Sequence, residues 1–344
     1  MPNDQAALAG ARPRRLRTLV AMSEPTRAEL FSSALSERLE RVADIAAGGA
    51  IGSFAAAADE LAEAEVLLTG WGCPPITAEV LDAAPNLLAV VHAAGTVKTF
   101  VDPVVFERGI AVSSAAAANA VPVAEFALAA IVFAGKRAFR HRDWYRTSHV
   151  KRPLPGAPVI GNYGTTIGLV GASRTGRLVL ERLRGLDVDV LLSDPYVDEV
   201  DAARLGARLC DLKTLFAQSD VVSLHAPLLP ETERLVTAEL LAAMPDGAVL
   251  INTARGGLVD QVALERECES GRIDAVLDVT DPEPLPADSP LFRLANVFVT
   301  PHLAGAMGNE VRRLGEAAVA ELERLAAGQS MVHAIRAEDF GRIA

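Results

Sequence analysis

The sequence predicts an α/β protein made of two doubly wound parallel sheets, on three observations. Short apolar runs alternate with helical stretches along nearly the whole chain, which is the pattern of βαβ units. The 344 residues, 50% hydrophobic and 22% charged, suffice to bury two cores. One run, 166–176, passes from a buried strand into a glycine-marked turn that opens a helix, and Asp194 follows at the end of the next strand.

Taken in order, residues 1–15 are expected to form a flexible tail. Arginines stand at 12, 14, 15 and 17, and the apolar run 18–22 behind them is too short for a signal-peptide core. A first series of strands is expected near 17–22, 42–45, 65–69, 88–92 and 110–113, with helices such as 26–41 and 77–83 between them. The stretch 110–135 carries one charge, Glu125, over a length that could cross a bilayer. Ser113, Ser114, Asn119 and Pro122 interrupt it, and a strand followed by a buried helix is the better account. A long helix over 121–140 leads to a connector or arm at 140–162, with prolines at 153, 155 and 158. A second series follows near 166–171, 188–193, 220–224, 248–252, 273–278 and 297–299, with helices at 174–185, 211–218, 237–243 and 260–270. Over 307–327, Val311, Leu314, Ala318, Leu322 and Leu325 mark one more amphipathic helix, expected to return to the first domain.

The net charge of −11 argues against a general polyanion binder, since such binding rests on cations neutralising phosphates. The arm alone resembles a nucleic-acid surface: Lys136, Arg137, Arg140, Arg142, Arg146, Lys151 and Arg152 interleave with Phe139, Trp144 and Tyr145. In an acidic chain such a cluster more often forms a solvated or interface face. Cys73, Cys210 and Cys268 share no CxxC spacing, so neither a metal cluster nor a local disulfide framework is expected, and a reducing cytoplasm fits. Small molecules are the expected partners, with no nucleic acid, membrane or metal.

Each part of the glycine-marked turn has its own work. Gly171 allows the tight turn, Gly176 permits close helix packing, and the helix N-terminus, with Ser173, Arg174 and Thr175, offers amides to a pyrophosphate. Asp194 follows Gly176 by 18 residues, a separation that suits a carboxylate accepting hydrogen bonds from ribose hydroxyls and repelling a 2′-phosphate. NAD is therefore the expected cofactor. Ser173 stands where a second glycine is usual; its Cβ crowds a phosphate, while its hydroxyl can donate to one. Taken alone, Asp194 before Pro195 is an ordinary turn residue, and Arg174 an exposed first-turn arginine.

Three further runs each begin at the carboxyl end of an expected strand: 251–260 with Arg255, 278–285 with Glu283, and 300–302 with His302. Strand ends of one parallel sheet line its ligand crevice, so these residues can converge although distant in sequence. Singly, each has a plain structural reading as a turn anchor, a solvated glutamate or a loop histidine; jointly they point to catalysis.

With these runs, the chain resembles the D-isomer-specific 2-hydroxyacid dehydrogenases, a family that includes 3-phosphoglycerate dehydrogenase and glyoxylate/hydroxypyruvate reductase. The resemblance spans 17–335 and rests on Asn252 to Asp260 (NxARGxxVD), Asp278 to Pro284 (DVxxxEP) and Thr300 to His302 (TPH). It implies a Rossmann NAD-binding domain over 119–305, including a dimerisation arm at 136–160, and a discontinuous flavodoxin-like substrate domain from 16–118 and 306–344. It implies Arg255, Glu283 and His302 as the catalytic set, in a cleft between the domains whose closure excludes water. In such chemistry His302 gives a proton to the oxygen at C2, Glu283 raises its pKa and fixes its tautomer, and Arg255 offers a planar charged fork to the substrate carboxylate. His225 and Pro227 resemble the loop beneath the cofactor, and Thr253, Ala254 and Asp278 the nicotinamide side, where a carboxylate can accept from the carboxamide.

The loop 94–102 resembles the one whose backbone amides hold the substrate carboxylate, with Val97 and Lys98 in place of its usual glycine and small polar residue. Val97, Lys98 and Trp71 are thus expected at the substrate, with Lys98 suited to a second acidic group. Thr280 replaces a frequent aromatic, which widens the site. The chain ends soon after the last helix, so no regulatory domain and no feedback by serine are expected. The expectation is an NAD-dependent 2-hydroxyacid dehydrogenase acting as a homodimer; the alternatives are a 3-phosphoglycerate dehydrogenase specifically, or a dinucleotide-sensing, corepressor-like binding protein.

Overall fold

The computed structural model describes residues 14–152 and 161–343. The prolines at 153, 155 and 158 and most of the expected tail lie outside the described residues. The chain forms two compact units, Met1–Asn119 with Ala306–Ala344, and Ala120–Gly305.

In the first unit β1 (Leu16–Ala21), β2 (Ala43–Ile51), β3 (Val66–Thr69), β4 (Ala89–His92) and β5 (Ala111–Ser114) lie in the order β2-β1-β3-β4-β5. All are parallel, and the order is that of flavodoxin-like sheets. Residues Ala334–Ile335 add a sixth, antiparallel strand beside β5. In the second unit β6 (Thr165–Val170), β7 (Val188–Ser193), β8 (Arg208–Leu209), β9 (Val221–Leu224), β10 (Val249–Asn252), β11 (Asp274–Leu277) and β12 (Val297–Val299) form one parallel sheet in the order β12-β11-β10-β9-β6-β7-β8. The order reverses direction at β6 and β9, the place where open sheets bind ligands at their carboxyl ends. Every residue of β3, β4, β9, β10 and β11 is buried, as befits strands covered on both faces.

Several elements differ from expectation. The helix expected over 26–41 is two, Glu24–Leu30 and Ser33–Val42, because the Ser32 hydroxyl caps the second by accepting from the Leu35 amide at 3.4 Å. The helix expected over 121–140 runs from Ala116 to Gly135, and a new one, Ala138–Ser148, starts after Arg137 takes a left-handed conformation (φ 47°). The short edge strand β8 was not expected. Arg14 and Arg15 do not belong to a loose tail: Arg14 makes a two-pronged ion pair with Glu65 (2.7 and 2.8 Å), and Arg15 donates to the Ala43 carbonyl.

The helix Ala116–Gly135 is long and apolar enough to cross a membrane, a property shared by core helices. Its Ala124, Ala127, Ala130, Ile131 and Ala134 pack in one buried cluster with Ile167, Leu169 and Leu180 of the second unit.

Part of the expected arm is also turned inward. Arg137, 3% exposed, donates to Asp274 Oδ2 at 2.9 Å and to the Gly247 carbonyl, while Arg140 stands 3.2 Å from Asp274 Oδ1, close but not aligned as a hydrogen bond. Phe139 stacks on Phe298 at 4.1 Å. Burial pushes the Asp274 carboxyl above its usual range and the Arg137 guanidinium below its own, so each charge depends on the other. Asp274→Ala leaves Arg137 buried without its counter-charge and is expected to cost about 3–5 kcal/mol in urea unfolding; a loss under about 1 kcal/mol would show that the pair is not buried as described.

Candidate active site

At the end of β6, Gly171 (φ 97°) turns the chain so closely against the β9 loop that a Cβ there would stand 2.7 Å from the Ala226 amide. Only glycine fits. The helix Arg174–Leu183 begins at Ser173, whose hydroxyl oxygen accepts from the Gly176 amide at 3.3 Å. Ser173 is thus the N-cap, and its own O–H remains able to donate. Thr175 is half-buried, Arg174 exposed, and Gly176 buried against the Gly171 carbonyl. Asp194 reaches back to the turn: its carboxylate accepts from the Ala172 amide at 2.7 Å and the Tyr196 amide at 2.8 Å. It is a turn residue and also a charge held beside the glycine turn, with lone pairs left over.

His225 is 3% exposed and its Nε2 lies 2.9 Å from the Ser223 hydroxyl, so the ring is taken up by packing beneath the turn. Pro227 is half-buried beside it, its carbonyl held by Thr232 at 2.7 Å.

At the end of β10 the buried Asn252 organises the next loop, its Oδ1 accepting from the Ala254 amide (3.0 Å) and its Nδ2 donating to the Arg255 carbonyl (2.9 Å). Arg255 is half-buried, with Nη1 on the Ala254 carbonyl at 2.6 Å. Burial lowers the pKa of its guanidinium, and the charge of Glu283 opposes that shift. A Cβ on Gly256 would overlap the Thr280 carbonyl, so this glycine lets the loops after β10 and β11 touch. Thr280 is itself buried, its hydroxyl on the Pro282 carbonyl at 2.9 Å.

His302 Nδ1 stands 2.6 Å from Glu283 Oε1, with the two side chains 50% and 42% exposed. His302 adopts φ 54°, and its amide donates to the Asp278 carbonyl at 2.9 Å. The Asp278 carboxylate accepts from the Thr300 hydroxyl (2.6 Å) and from the amides of Leu303 (2.8 Å) and Ala304 (2.9 Å). It commits three of its roughly four acceptor positions to the loop that carries His302. Thr253 Oγ1 is buried with no partner among the described residues. A buried orphan hydroxyl at one strand end, and at another strand end of the same sheet a glycine turn that admits no Cβ, fit residues shaped to hold a dinucleotide.

Asn252 and Thr300 were not among the expected site residues. Their signal was present: each is a polar residue that closes a run of apolar strand residues.

In the first unit Val97 is 0% exposed, in the core with Val101 and Val105. The apolar isopropyl group is driven inward, so what Val97 can offer a substrate is its backbone amide. The amides of Gly95, Thr96 and Val97 make no hydrogen bond among the described residues. Lys98 donates its ammonium to the Gly341 carbonyl at 2.8 Å. Trp71 is 42% exposed on the loop after β3.

The sequence pattern of the D-isomer specific 2-hydroxyacid dehydrogenase, NAD binding domain, matches residues 127–304. A glyoxylate reductase of Korarchaeum cryptofilum is 36% identical over 245 residues, 70% of this chain and 74% of that protein. The chain belongs to the D-isomer specific 2-hydroxyacid dehydrogenase family. A D-3-phosphoglycerate dehydrogenase of Mycobacterium tuberculosis is 38% identical over 281 residues, covering 79% of this chain. The chain spans about half the length of that relative, 51%. Among solved structures, a protein from Thermus thermophilus matches with a TM-score of 0.73 and 32% identity, covering 92% of this chain and 99% of its own. NAD is the cofactor of the matched domain.

Burial pushes His225, and His92 at the end of β4, from an ordinary 6.5 down to about 4. Both are neutral in the folded protein, and the unfolded chain binds more protons between these values. Their contribution to stability is complete above about pH 6.5 and is lost as pH falls toward about 4. Melting temperature is expected to drop between about pH 7 and pH 5, and a flat profile over that range would show hydrated rings.

Proposed function

We propose that the protein is an NAD-dependent D-2-hydroxyacid dehydrogenase, interconverting a 2-oxo acid and its D-2-hydroxy acid. The observation that carries this reading is the His302–Glu283 pair at 2.6 Å, with the Arg255 guanidinium under the influence of the same carboxylate. NADH, when bound, supplies the hydride to C2. With Nδ1–H directed at Glu283, Nε2 is the nitrogen that faces the reaction: as an imidazolium His302 gives the Nε2 proton to the oxygen at C2, and in the reverse direction the bare Nε2 takes it back. Glu283 balances the imidazolium charge and fixes its tautomer. Arg255 orients the substrate carboxylate and stabilises charge on the C2 oxygen. The open amides at Gly95–Val97 supply further donors to a carboxylate.

The cofactor residues are Gly171, Ser173, Arg174, Thr175, Gly176 and Asp194 at the adenosine and pyrophosphate end, with His225, Pro227, Thr253, Ala254 and Asp278 shaping the remainder. The carboxylate of Asp194 favours NAD over NADP. Trp71 and the loop at Val97 and Lys98 border the substrate. Cys73 and Cys268, pushed up to about 12 by burial, are inert thiols, and with all three cysteines unpaired a cytoplasmic setting is consistent.

The test is NADH oxidation across glyoxylate, hydroxypyruvate, phosphohydroxypyruvate and bulkier 2-oxo acids. Binding of NADH without turnover of any of them would leave the alternative, a dinucleotide-sensing protein. His302→Ala is expected to lower kcat by about 10²–10⁴-fold with NADH binding kept. Arg255→Ala is expected chiefly to raise KM for the oxo acid, and unchanged constants would remove the guanidinium from substrate binding.

We also propose that the helix Ala138–Ser148 clasps a second copy of the chain. None of its residues is buried, Tyr145 is 58% exposed, and Val150 just beyond it is 44% exposed; aromatics with arginine suit an interface core. Sedimentation should show a dimer that Tyr145→Glu weakens, and a monomeric unsubstituted protein would overturn this.

A further inference from the structure

His92 takes no part in the proton chemistry and lies outside the expected site, yet it stands where two loops meet. It is the last residue of β4, 3% exposed, and its Nδ1 lies 2.9 Å from the hydroxyl of Thr69, the last residue of β3. Its ring packs on that of Phe100 at 4.8 Å between centroids, tilted by 48°. Thr69 leads into Gly70 and Trp71, and Phe100 ends the loop that holds the open amides of Gly95, Thr96 and Val97. One imidazole therefore touches the root of the loop after β3 and the far end of the loop after β4.

We propose that His92 is a positioning residue for substrate: through Thr69 and Phe100 it fixes the run of amides at Gly95–Val97 that receives the carboxylate of the 2-oxo acid. The inference deepens the dehydrogenase reading and rests on it. Three contacts along the loop support it. Val97 plugs into the core, the Val101 amide returns to the Val97 carbonyl at 3.0 Å, and Val101 pairs with Ile76. Between Ala93, whose amide is held by the Thr69 carbonyl at 2.7 Å, and Val97, the backbone is tied at the Ala94 carbonyl, which accepts from the Ala115 amide at 3.0 Å, and its amides at Gly95–Val97 stay open. Thr69, which holds Ala93, and Phe100, three residues past Val97, flank this stretch, and His92 is in contact with both.

The chemistry of the ring suits this work. A neutral imidazole offers one donor and one acceptor, so Nδ1 can pair with a hydroxyl in either sense. Burial pushes His92 down to about 4, which keeps it neutral near pH 7. A neutral ring places no charge next to an anion site, so recognition is left to the amides. Phenylalanine would fill the same space and lose the hydroxyl; asparagine would keep a polar atom near the position of Nδ1 and lose the face against Phe100.

The test uses the whole chain with NADH and the best substrate of the 2-oxo acid panel. Turnover by the unsubstituted protein tests the dehydrogenase reading, and comparison with the variants tests His92. Thr69→Val keeps the shape and removes the hydroxyl. It is expected to raise KM for the oxo acid about tenfold, the order of one lost hydrogen bond, with kcat and the NADH dissociation constant within about twofold. Thr69→Ser, which keeps the hydroxyl, should restore KM. Hydrogen exchange should quicken in 93–101 for Thr69→Val and His92→Phe and stay unchanged in 166–176. KM unchanged in both variants, or exchange in 93–101 unchanged, would overturn the proposal. A rise in KM matched by an equal loss of NADH affinity would also overturn it, as a general loosening of the fold.

Discussion

Asp278 accepts hydrogen bonds from the Thr300 hydroxyl and from the amides of Leu303 and Ala304, while its carbonyl receives the amide of His302. The loop that carries the imidazole therefore hangs on one buried residue at the end of β11. The strand has a second carboxylate at its start, Asp274, paired with Arg137 and Arg140. Between them run only buried apolar residues. The two acids divide the work: one is costly to bury and is neutralised by arginines from the helix region before β6, the other is satisfied by amides and left near the chemistry. Because β11 is paired with β10 on one side and β12 on the other, the loops bearing Arg255, Glu283 and His302 inherit their spacing from the sheet register.

Burial and partner set one of three histidines in this chain apart from the other two. His92 and His225 each meet a hydroxyl and are shut away from water, which holds them neutral. Neither can carry a proton between the two directions of a reaction near pH 7. His302 is half exposed and meets a carboxylate instead. A group that must gain and lose charge needs a partner for the charged form and access to the reacting atom. Of these three rings, only His302 has a carboxylate partner and an exposed face.

Much of this could be read from the sequence because the relevant constraints are local. The glycine turn at Gly171, the spacing to Asp194 and the three strand-end runs are dictated by backbone geometry within a few residues. The strand series was visible because strands buried on both faces are apolar throughout. The break between the helices Glu24–Leu30 and Ser33–Val42 was hidden by an unbroken helical pattern, although Ser32 carried the capping signal. The inward turn of Arg137 and Arg140 was not legible, since their partner Asp274 lies 137 residues beyond Arg137 and becomes acidic company only once β11 is in the sheet. The anchoring work of Asp278 was hidden for the same reason: its partners arrive from the loop after β12.

Val97 shows a subtler limit. A sequence pattern speaks of side chains, and a hydrophobic residue in a binding loop suggests an altered pocket. When backbone amides do the binding, the side chains serve to hold the loop, and valine does so by entering the core. The substitution therefore alters the anchoring of the loop while leaving its donors in place. Anion recognition of this kind carries little information about the rest of a substrate, because every 2-oxo acid presents the same carboxylate. Discrimination between 2-oxo acids must therefore come from groups other than these amides, whose shape meets the part of the substrate that varies.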